Sequence, residues 1–134
     1  PLVIGPDEES EQWAGVIARR IGAPHAVLRK LRHGDRNVEI TLPYLGEYRR
    51  HQPVLVDDIA SSGRTMAVAA RELAKQGFAP PECVVVHALF GGDAWQTLSP
   101  LCRRITSTDS VPHASNGIGL APLFAAALRR HPES

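Results

Sequence analysis

The sequence lacks the features that would assign it to several specialised classes of protein. Its only cysteines, Cys83 and Cys102, have neither the number of a disulfide framework nor the spacing of a metal site, so they are expected to be buried thiols of a cytoplasmic protein. No apolar run approaches the ~20 residues that a membrane span requires. Fifteen basic residues against fourteen acidic ones provide no basic field for nucleic acid. We therefore expect a cytoplasmic protein that binds neither nucleic acid nor membranes.

An initiator methionine and a targeting segment are also absent, and the chain begins at Pro1 inside what already resembles a strand. This start predicts that the 134 residues are a piece of a longer polypeptide. Their length fits one domain, and 43% apolar with 22% charged residues is ordinary for a globular protein.

Strand-like and helix-like patterns alternate along the chain. Apolar residues recur at helical spacing from Glu8 to Ile21, with acidic residues first and arginines last, and Gly22 is a plausible helix stop. The predicted strands are 2–4, 26–28, 38–42, 54–56, 83–89, 104–107 and 118–120, and the predicted helices are 8–21, 65–76, 91–98 and 121–130. Such alternation predicts an α/β fold with a mostly parallel sheet and helices on both faces.

The most informative stretch runs from Val54 to Thr65 and reads VLVDDIASSGRT. Its first three residues resemble a strand buried on both faces, which would deliver Asp57 and Asp58 to its carboxyl end. Ligands bind at that end of an open parallel sheet. Two carboxylates there can accept hydrogen bonds from neighbouring hydroxyls or share a divalent cation.

The second half of the stretch, Ser61 to Thr65, combines hydroxyls, free backbone N–H groups and a glycine. At a helix N-terminus such a loop cradles an anion such as phosphate. In the simpler alternative, Asp58 or Ser61 merely caps the helix, but one carboxylate would suffice for that. The pattern therefore favours a pocket for a sugar phosphate.

The most cationic stretch is Arg29 to Arg36, which has no convincing period and is predicted to be a mobile loop or a ribbon. Cations on such a segment can close over a polyphosphate and neutralise charge that develops during transfer. The alternative is a basic loop that only contacts solvent.

Two motifs resemble known signatures. VDDIASSGRT is similar to the ribose-5-phosphate loop of type I phosphoribosyltransferases and of ribose-phosphate pyrophosphokinases. Lys30-Leu31-Arg32-His33-Gly34, followed by Asn37-Val38-Glu39, resembles the catalytic flexible loop of the pyrophosphokinases, although Leu31 replaces an arginine that many members carry. Gly5-Pro6-Asp7, His87-Ala88-Leu89-Phe90 and the stretch from Ser107 to His113 match the same family. The resemblance covers nearly the whole chain and corresponds to the C-terminal half of a pyrophosphokinase.

That resemblance implies a single type I phosphoribosyltransferase-like domain over residues 1–134. It also implies transfer of pyrophosphate from ATP to the 1-hydroxyl of ribose 5-phosphate. Lys30 and Arg32 would stabilise the transition state, while Asp57 and Asp58 would hold the ribose hydroxyls and Mg²⁺. The residues implied to bind the 5-phosphate are Ser61, Ser62, Gly63, Arg64 and Thr65.

The family also implies partners outside this chain. An N-terminal domain of the same polypeptide would supply the ATP site, and the enzyme would be a homo-oligomer. We therefore expect these 134 residues alone to bind sugar phosphate weakly and to have little or no activity.

Several single residues have two interpretations. Asp7 either lines the ribose pocket or caps the first helix. His87 is favoured as a strand-end histidine that is hydrogen-bonded within the fold, rather than as a base. His113, like His33, is expected to be exposed. Trp95, like Trp13, is expected in the core or an interface.

Two other functions remain open on the sequence. A phosphoribosyltransferase would use the same loop to exchange pyrophosphate for a nucleobase, but no segment resembles a base-recognition hood. A non-catalytic regulatory relative of the pyrophosphokinase would have no need of Lys30, Arg32 and both aspartates.

Overall fold

The computed structural model describes residues 1–34 and 37–130, without the side chains of His33, Asn37 and Val38. Arg36, at the end of the predicted cationic stretch, lies outside the described residues. The elements are β1 (Leu2–Gly5), α1 (Glu11–Ile21), β2 (His25–Val27), β3 (Arg29–His33), β4 (Asn37–Thr41), β5 (Pro53–Ala60), α2 (Arg64–Lys75), β6 (Glu82–Ala88), α3 (Ala94–Leu98), β7 (Arg104–Thr108), β8 (Asn116–Ile118) and α4 (Ala121–Arg130).

Six of the strands form one sheet in the order β2-β1-β5-β6-β7-β8, and every neighbouring pair is parallel. The remaining two, β3 and β4, pair with each other as an antiparallel ribbon. The predicted α/β class with a mostly parallel sheet is therefore confirmed. The cationic stretch was predicted to be either a mobile loop or a ribbon, and its described part forms a ribbon.

Helices cover the sheet on both faces, but unequally. On one face, α2 and α3 bury the larger core, in which Leu73 and Leu98 are fully inaccessible and pack near Leu55 and Val85. On the other face, α1 buries a smaller cluster. Because α1 presents small residues, Ala14 among them, to the sheet, it packs closely but covers little of it.

Local signals fix both ends of α1. The helix begins at Glu11 rather than at the predicted Glu8, because a 3₁₀ turn, Glu8–Ser10, precedes it. Asp7 caps that turn by accepting a hydrogen bond from the Ser10 amide at 2.9 Å. At the other end Gly22 adopts φ 66°, the left-handed conformation that closes many helices and that glycine reaches without strain. The predicted stop is confirmed.

Other predicted bounds shift. The central strand β5 runs from Pro53 to Ala60 rather than from 54 to 56, and β8 occupies Asn116–Ile118 rather than 118–120. Among the described residues, no helix combines the length and apolar character needed to cross a membrane.

The strand order places a crevice between β1 and β5. From β1 the chain moves outward to β2, whereas from β5 it moves in the opposite direction through β6 and β7 to β8. In an open parallel sheet, ligands bind at the carboxyl ends of the strands where this reversal occurs.

Candidate functional site

Asp57 and Asp58 lie at this reversal, but inside β5 rather than after it. The pairing of β1 with β5 stops at Ile4–Leu55, whereas the pairing of β5 with β6 continues to Ala60–Ala88. The sequence-based prediction ended the strand too early because the ladder with β6, which extends it, is not visible in the local pattern. Both carboxylates consequently stand beside the crevice where β1 has ended.

The two carboxylates accept hydrogen bonds from the backbone, and their pKa values shift in opposite directions. The amide of Asp58 donates to Asp57 Oδ1 at 2.8 Å, and the amide of Ile59 donates to Asp58 Oδ1 at 2.8 Å. Burial, and then the hydrogen bond with Asp58, raises the pKa of Asp57 to about 7. The hydrogen bond with Asp57 lowers the pKa of Asp58. Around neutral pH, Asp57 is therefore partly protonated, while Asp58 is ionised.

The loop after β5 forms a small concave surface at the start of α2. Residues 59–66 and Asp57 line a cavity of about 100 Å³. The backbone N–H groups of Ser61, Ser62 and Gly63 donate no hydrogen bond to a described residue. Gly63, with φ 72°, turns the chain into α2. Free N–H groups at a helix N-terminus attract an anion, so the loop has the chemistry of a phosphate site.

A neighbouring segment fixes this loop from the β6 side. The amide of Phe90 donates to Ala60 O at 2.8 Å, and the amide of Gly91 donates to Ser61 O at 3.0 Å. To make these bonds Phe90 adopts φ 41°, the sole positive φ among described residues other than glycine. Such a backbone is costly for a bulky residue and persists only where the surroundings enforce it. The motif His87-Ala88-Leu89-Phe90 matched the family, but the sequence assigned Phe90 no role in supporting the loop.

The ribbon presents Lys30 and Arg32 on one side. Alternate residues of a strand point to the same side, and these two line a cleft of about 420 Å³ together with Asp7, Glu8 and Glu9. Both cations are exposed. The predicted cationic pair thus faces the carboxyl end of β1, where Asp7 lies, but the cleft and the loop after β5 share no lining residue.

Asp7 and His87 both have structural partners. Asp7 caps the turn before α1, as one of its two interpretations predicted, and also lines the cleft below Lys30. His87 Nδ1 is 2.8 Å from Ser110 Oγ, and that hydroxyl donates its one hydrogen to Val86 O at 3.2 Å. His87 is therefore hydrogen-bonded within the fold, as its favoured interpretation held.

The expectation that His113 is exposed is wrong. Its ring is half-buried between Phe90 and Trp95, with centroid separations of 4.8 and 4.7 Å. Its Nδ1 accepts a hydrogen bond from the Ser115 amide at 3.0 Å. The turn after β6 brings both aromatic rings to it, and that contact depends on tertiary structure rather than on local sequence. Trp95 itself packs against the larger core, as expected.

The carboxylates of Asp57 and Asp58 supply too few ligands to hold Mg²⁺ without water in its coordination shell. No group of three or more histidine, cysteine, aspartate or glutamate side chains converges in the described part of the chain. A metal ion at this edge would be held by Asp57 and Asp58 and completed by oxygens of the ligand and of water. That is the coordination Mg²⁺ commonly adopts beside phosphorylated substrates.

Comparison with known proteins identifies the family. The family model described as "Phosphoribosyl transferase domain" matches residues 1–121. The chain belongs to the phosphoribosyl transferase domain family. Ribose-phosphate pyrophosphokinase from Methanosarcina acetivorans is 33% identical over 131 residues, which cover 97% of this chain and 46% of that protein. This phosphoribosyl transferase domain thus spans slightly less than half the length of that relative.

Solved structures show the same fold. Phosphoribosylpyrophosphate synthetase from Mycobacterium smegmatis superposes with a TM-score of 0.80 at 23% identity, covering 98% of this chain and 45% of that one. Orotate phosphoribosyltransferase from Aeropyrum pernix superposes with a TM-score of 0.58 at 21% identity, covering 99% of this chain and 66% of that one. The predicted phosphoribosyltransferase-type fold is confirmed.

Proposed function

We propose that this domain is the ribose 5-phosphate-binding part of a ribose-phosphate diphosphokinase, which transfers the β,γ-pyrophosphate of ATP to the 1-hydroxyl of ribose 5-phosphate. The observation that carries the proposal is a carboxylate pair and a phosphate-type loop that meet at Asp57, at the strand-order reversal. The similarity to ribose-phosphate pyrophosphokinases over 97% of the chain supports it.

In the proposed complex the loop from Ser61 to Thr65 binds the 5-phosphate through backbone N–H groups and hydroxyls, and Arg64 contributes its backbone N–H. The fixed length of the sugar then directs the 2- and 3-hydroxyls toward Asp57 and Asp58, which accept their hydrogen bonds. Asp57 and Asp58 would hold Mg²⁺, which would supply positive charge to neutralise the phosphate groups.

The transfer itself depends on position and charge. The 1-hydroxyl oxygen forms a bond to the β-phosphorus of ATP, and its proton passes to solvent. The bond from that phosphorus to the oxygen shared with the α-phosphate breaks, and AMP leaves with that oxygen. Lys30 and Arg32 stabilise the charge on the transferring group from the ribbon. We assign neither Asp7 nor His87 a catalytic step, because both make structural hydrogen bonds.

The remaining parts of the enzyme are proposals about a longer polypeptide. We propose that the chain corresponds to the C-terminal half of a two-domain enzyme, since it covers 46% of the Methanosarcina protein. An N-terminal domain would complete the ATP site, and the enzyme would be a homo-oligomer. Both thiols are free, as is usual in the reducing cytoplasm, where we place the enzyme.

The ribbon provides a matched test of the catalytic assignment. In the full-length enzyme, Lys30→Ala and Arg32→Ala are expected to lower kcat by at least about a hundredfold, with a smaller effect on KM, because they act on transition-state charge. Arg29→Ala is the control, since Arg29 is an exposed cation on the same strand that points to the opposite side.

Turnover of these variants and an assay for pyrophosphate release separate the rival functions. Unchanged turnover in the Lys30 and Arg32 variants would contradict the catalytic assignment and favour a regulatory relative. Release of pyrophosphate from phosphoribosyl pyrophosphate only in the presence of a nucleobase would favour a phosphoribosyltransferase instead.

A further inference from the structure

The turn after β6 holds the phosphate-type loop, residues 61–65, by two backbone carbonyls at its start. The Phe90 amide donates to Ala60 O at 2.8 Å. The Gly91 amide donates to Ser61 O at 3.0 Å. Each carbonyl shares its peptide group with the N–H of the next residue, and these are the free N–H groups of Ser61 and Ser62.

The geometry of the peptide group then fixes where these two N–H groups point. A trans peptide group is planar, and its C=O and N–H bonds point in opposite directions. Since both carbonyls point to the turn, both N–H groups point away from it. The turn does not line the cavity of about 100 Å³ at the start of α2, whereas Ser61 and Ser62 do. The hydrogen bonds from the turn thus direct two N–H donors toward the side on which an anion can bind.

Both hydrogen bonds depend on the strained backbone of Phe90. Its φ of 41° is a conformation that a bulky residue keeps only where the surroundings enforce it. Relaxation to a negative φ would rotate the chain that follows relative to the Phe90 amide. The amides of Phe90 and Gly91 could then not both keep their acceptors. The direction of the two N–H groups in the loop therefore depends on what holds Phe90.

Two other rings hold Phe90, and the three together form an aromatic cluster. The Phe90 ring lies 5.2 Å from that of Trp95 and 4.8 Å from that of His113, between centroids. The rings of Trp95 and His113 are 4.7 Å apart, so each ring contacts the other two. Trp95 lies on α3, whose Ala94 stands beside Gly63 of the loop. A movement of Phe90 would break contacts with both neighbours.

Hydrogen bonds from the end of β7 fix the ring of His113 in this cluster. Its Nδ1 accepts from the Ser115 amide at 3.0 Å. Ser115 Oγ lies 2.7 Å from Ser107 Oγ, and both serines are buried. Asn116 Nδ2 donates to the same Ser107 Oγ at 2.9 Å. A continuous series of contacts therefore runs from the sheet through His113 and the strained turn to the loop.

We propose that His113 is a positioning residue for phosphate binding, which acts through Phe90 to direct the N–H groups of Ser61 and Ser62 at the anion. That the anion is the 5-phosphate of ribose 5-phosphate rests on the proposed function. The ring of His113 does this by packing, and its Nδ1 serves only to fix the ring. Another planar ring can therefore replace it, whereas a hydrogen-bond acceptor without a ring cannot.

Two substitutions separate the ring from its hydrogen bond. His113→Phe keeps a ring and removes the acceptor of the Ser115 amide, so it is expected to lower stability in urea while affinity for ribose 5-phosphate stays within about twofold of wild type. His113→Asn keeps an acceptor and removes the ring, and it is expected to weaken that affinity about tenfold. A residue that acts only through its hydrogen bond would give the reverse order.

Titration calorimetry of the 134-residue chain measures these affinities. His51→Asn is the matched control, since the ring of His51 also packs against an aromatic ring, that of Tyr48 at 5.4 Å, but in the connector before β5. It should leave the affinity unchanged. Equal affinities of wild type and His113→Asn, or a His113→Phe variant that loses affinity or fold, would overturn the proposal. If His113→Asn unfolds, His113→Phe decides alone.

Amide hydrogen exchange, followed by NMR, tests the positioning without a ligand. In His113→Asn the amides of Phe90 and Gly91 are expected to exchange about tenfold faster than in wild type, relative to the Val56 amide in β5, which reports opening of the sheet. In His113→Phe and His51→Asn they should exchange as in wild type. Unchanged exchange in His113→Asn would overturn the positioning role. A wild-type chain that does not bind ribose 5-phosphate would instead overturn the proposed function, and the exchange rates would still decide whether His113 orients the loop.

Discussion

Two adjacent aspartates of identical chemistry acquire different charge states in the fold. Asp57 is partly buried toward α2 and Asp58 is exposed, so burial and the hydrogen bond between them hold the proton on Asp57. A ligand that needs both carboxylates as acceptors, or a cation between them, must displace that proton. Binding at this pair is therefore expected to release a proton near neutral pH.

The raised pKa of Asp57 predicts a specific dependence of stability on pH. Between pH 3.8 and about 7 the unfolded chain loses the Asp57 proton while the folded chain keeps it, so this group's contribution to stability falls as pH rises and levels off above 7. Asp57→Asn removes this loss and should be more stable than wild type by about 1–2 kcal/mol at pH 8, allowing for partial exposure, with little gain at pH 4.

Urea unfolding at a series of pH values measures this difference. Asp93→Asn, a change at an exposed carboxylate outside the β5 loop, serves as the control for the loss of one negative charge. A gap between Asp57→Asn and wild type that does not widen from pH 4 to pH 8 would show that Asp57 ionises normally in the folded protein.

The two thiols also differ, although both are free. Cys83 Sγ lies 3.3 Å from Cys102 Sγ. The hydrogen bond between them, together with burial, raises the pKa of Cys83, and the same bond lowers the pKa of Cys102, which is only half-buried. The expectation of two buried thiols is therefore correct for Cys83 and incomplete for Cys102.

Alkylation with iodoacetamide under native conditions is expected to modify Cys102 well before Cys83, because the thiolate is the reactive form. Peptide mass spectrometry measures the two rates. In Cys83→Ala the hydrogen bond is lost, so Cys102 should react more slowly at the same pH. Equal rates for both cysteines in the folded chain would contradict the assigned hydrogen bond.

At the scale of elements, the turn from β5 into α2 sets the candidate phosphate site. Gly63 has a left-handed backbone, and a Cβ added there would lie 3.5 Å from Ala94 O, which is an ordinary contact. The constraint is therefore the backbone conformation rather than lack of space. A side chain would favour a different backbone and would move the free N–H groups away from the anion.

Gly63→Ala is accordingly expected to cost about 1 kcal/mol of folding free energy and to weaken binding of ribose 5-phosphate about tenfold or more. Gly22→Ala is a close control, since Gly22 also has a positive φ, 66°, at a helix end with nothing within 4 Å of an added Cβ. It should cost similar stability without affecting affinity. Titration calorimetry and urea unfolding of both variants separate the two effects, and equal affinities would argue against the loop as the phosphate site.

At the scale of the whole molecule, the sequence predicted the features that depend on interactions between residues close together in the chain. The alternation of elements predicted the α/β sheet, and Gly22 predicted the end of the first helix, because caps and turns act over a few residues. Asp7, for which a cap was one of two interpretations, caps the 3₁₀ turn before that helix. The length of β5 was underestimated because it depends on pairing with β6, far along the chain. The strained Phe90 and the half-buried His113 were not predicted, because both depend on contacts that only the assembled fold creates.

The same limit applies to the candidate site. Its residue types were predicted by the local pattern around Asp57 and by the cationic stretch. The strand order, which places Asp57 and Asp58 beside the end of β1, required the structure. The terminal helix α4 has the apolar face that its pattern predicted, but that face is not buried. Leu123, Phe124 and Leu128 are each more than 60% exposed.

The central claim is that the carboxylates and the loop form one site for ribose 5-phosphate. Isothermal titration calorimetry of the 134-residue chain with Mg²⁺ tests it most directly, using ribose 5-phosphate, ribose and inorganic phosphate as separate ligands. We predict weak binding of ribose 5-phosphate, tighter than that of ribose or phosphate, and about tenfold weaker binding in Asp58→Asn. Ribose 5-phosphate that fails to bind, or that binds wild type and Asp58→Asn equally well, would contradict the account.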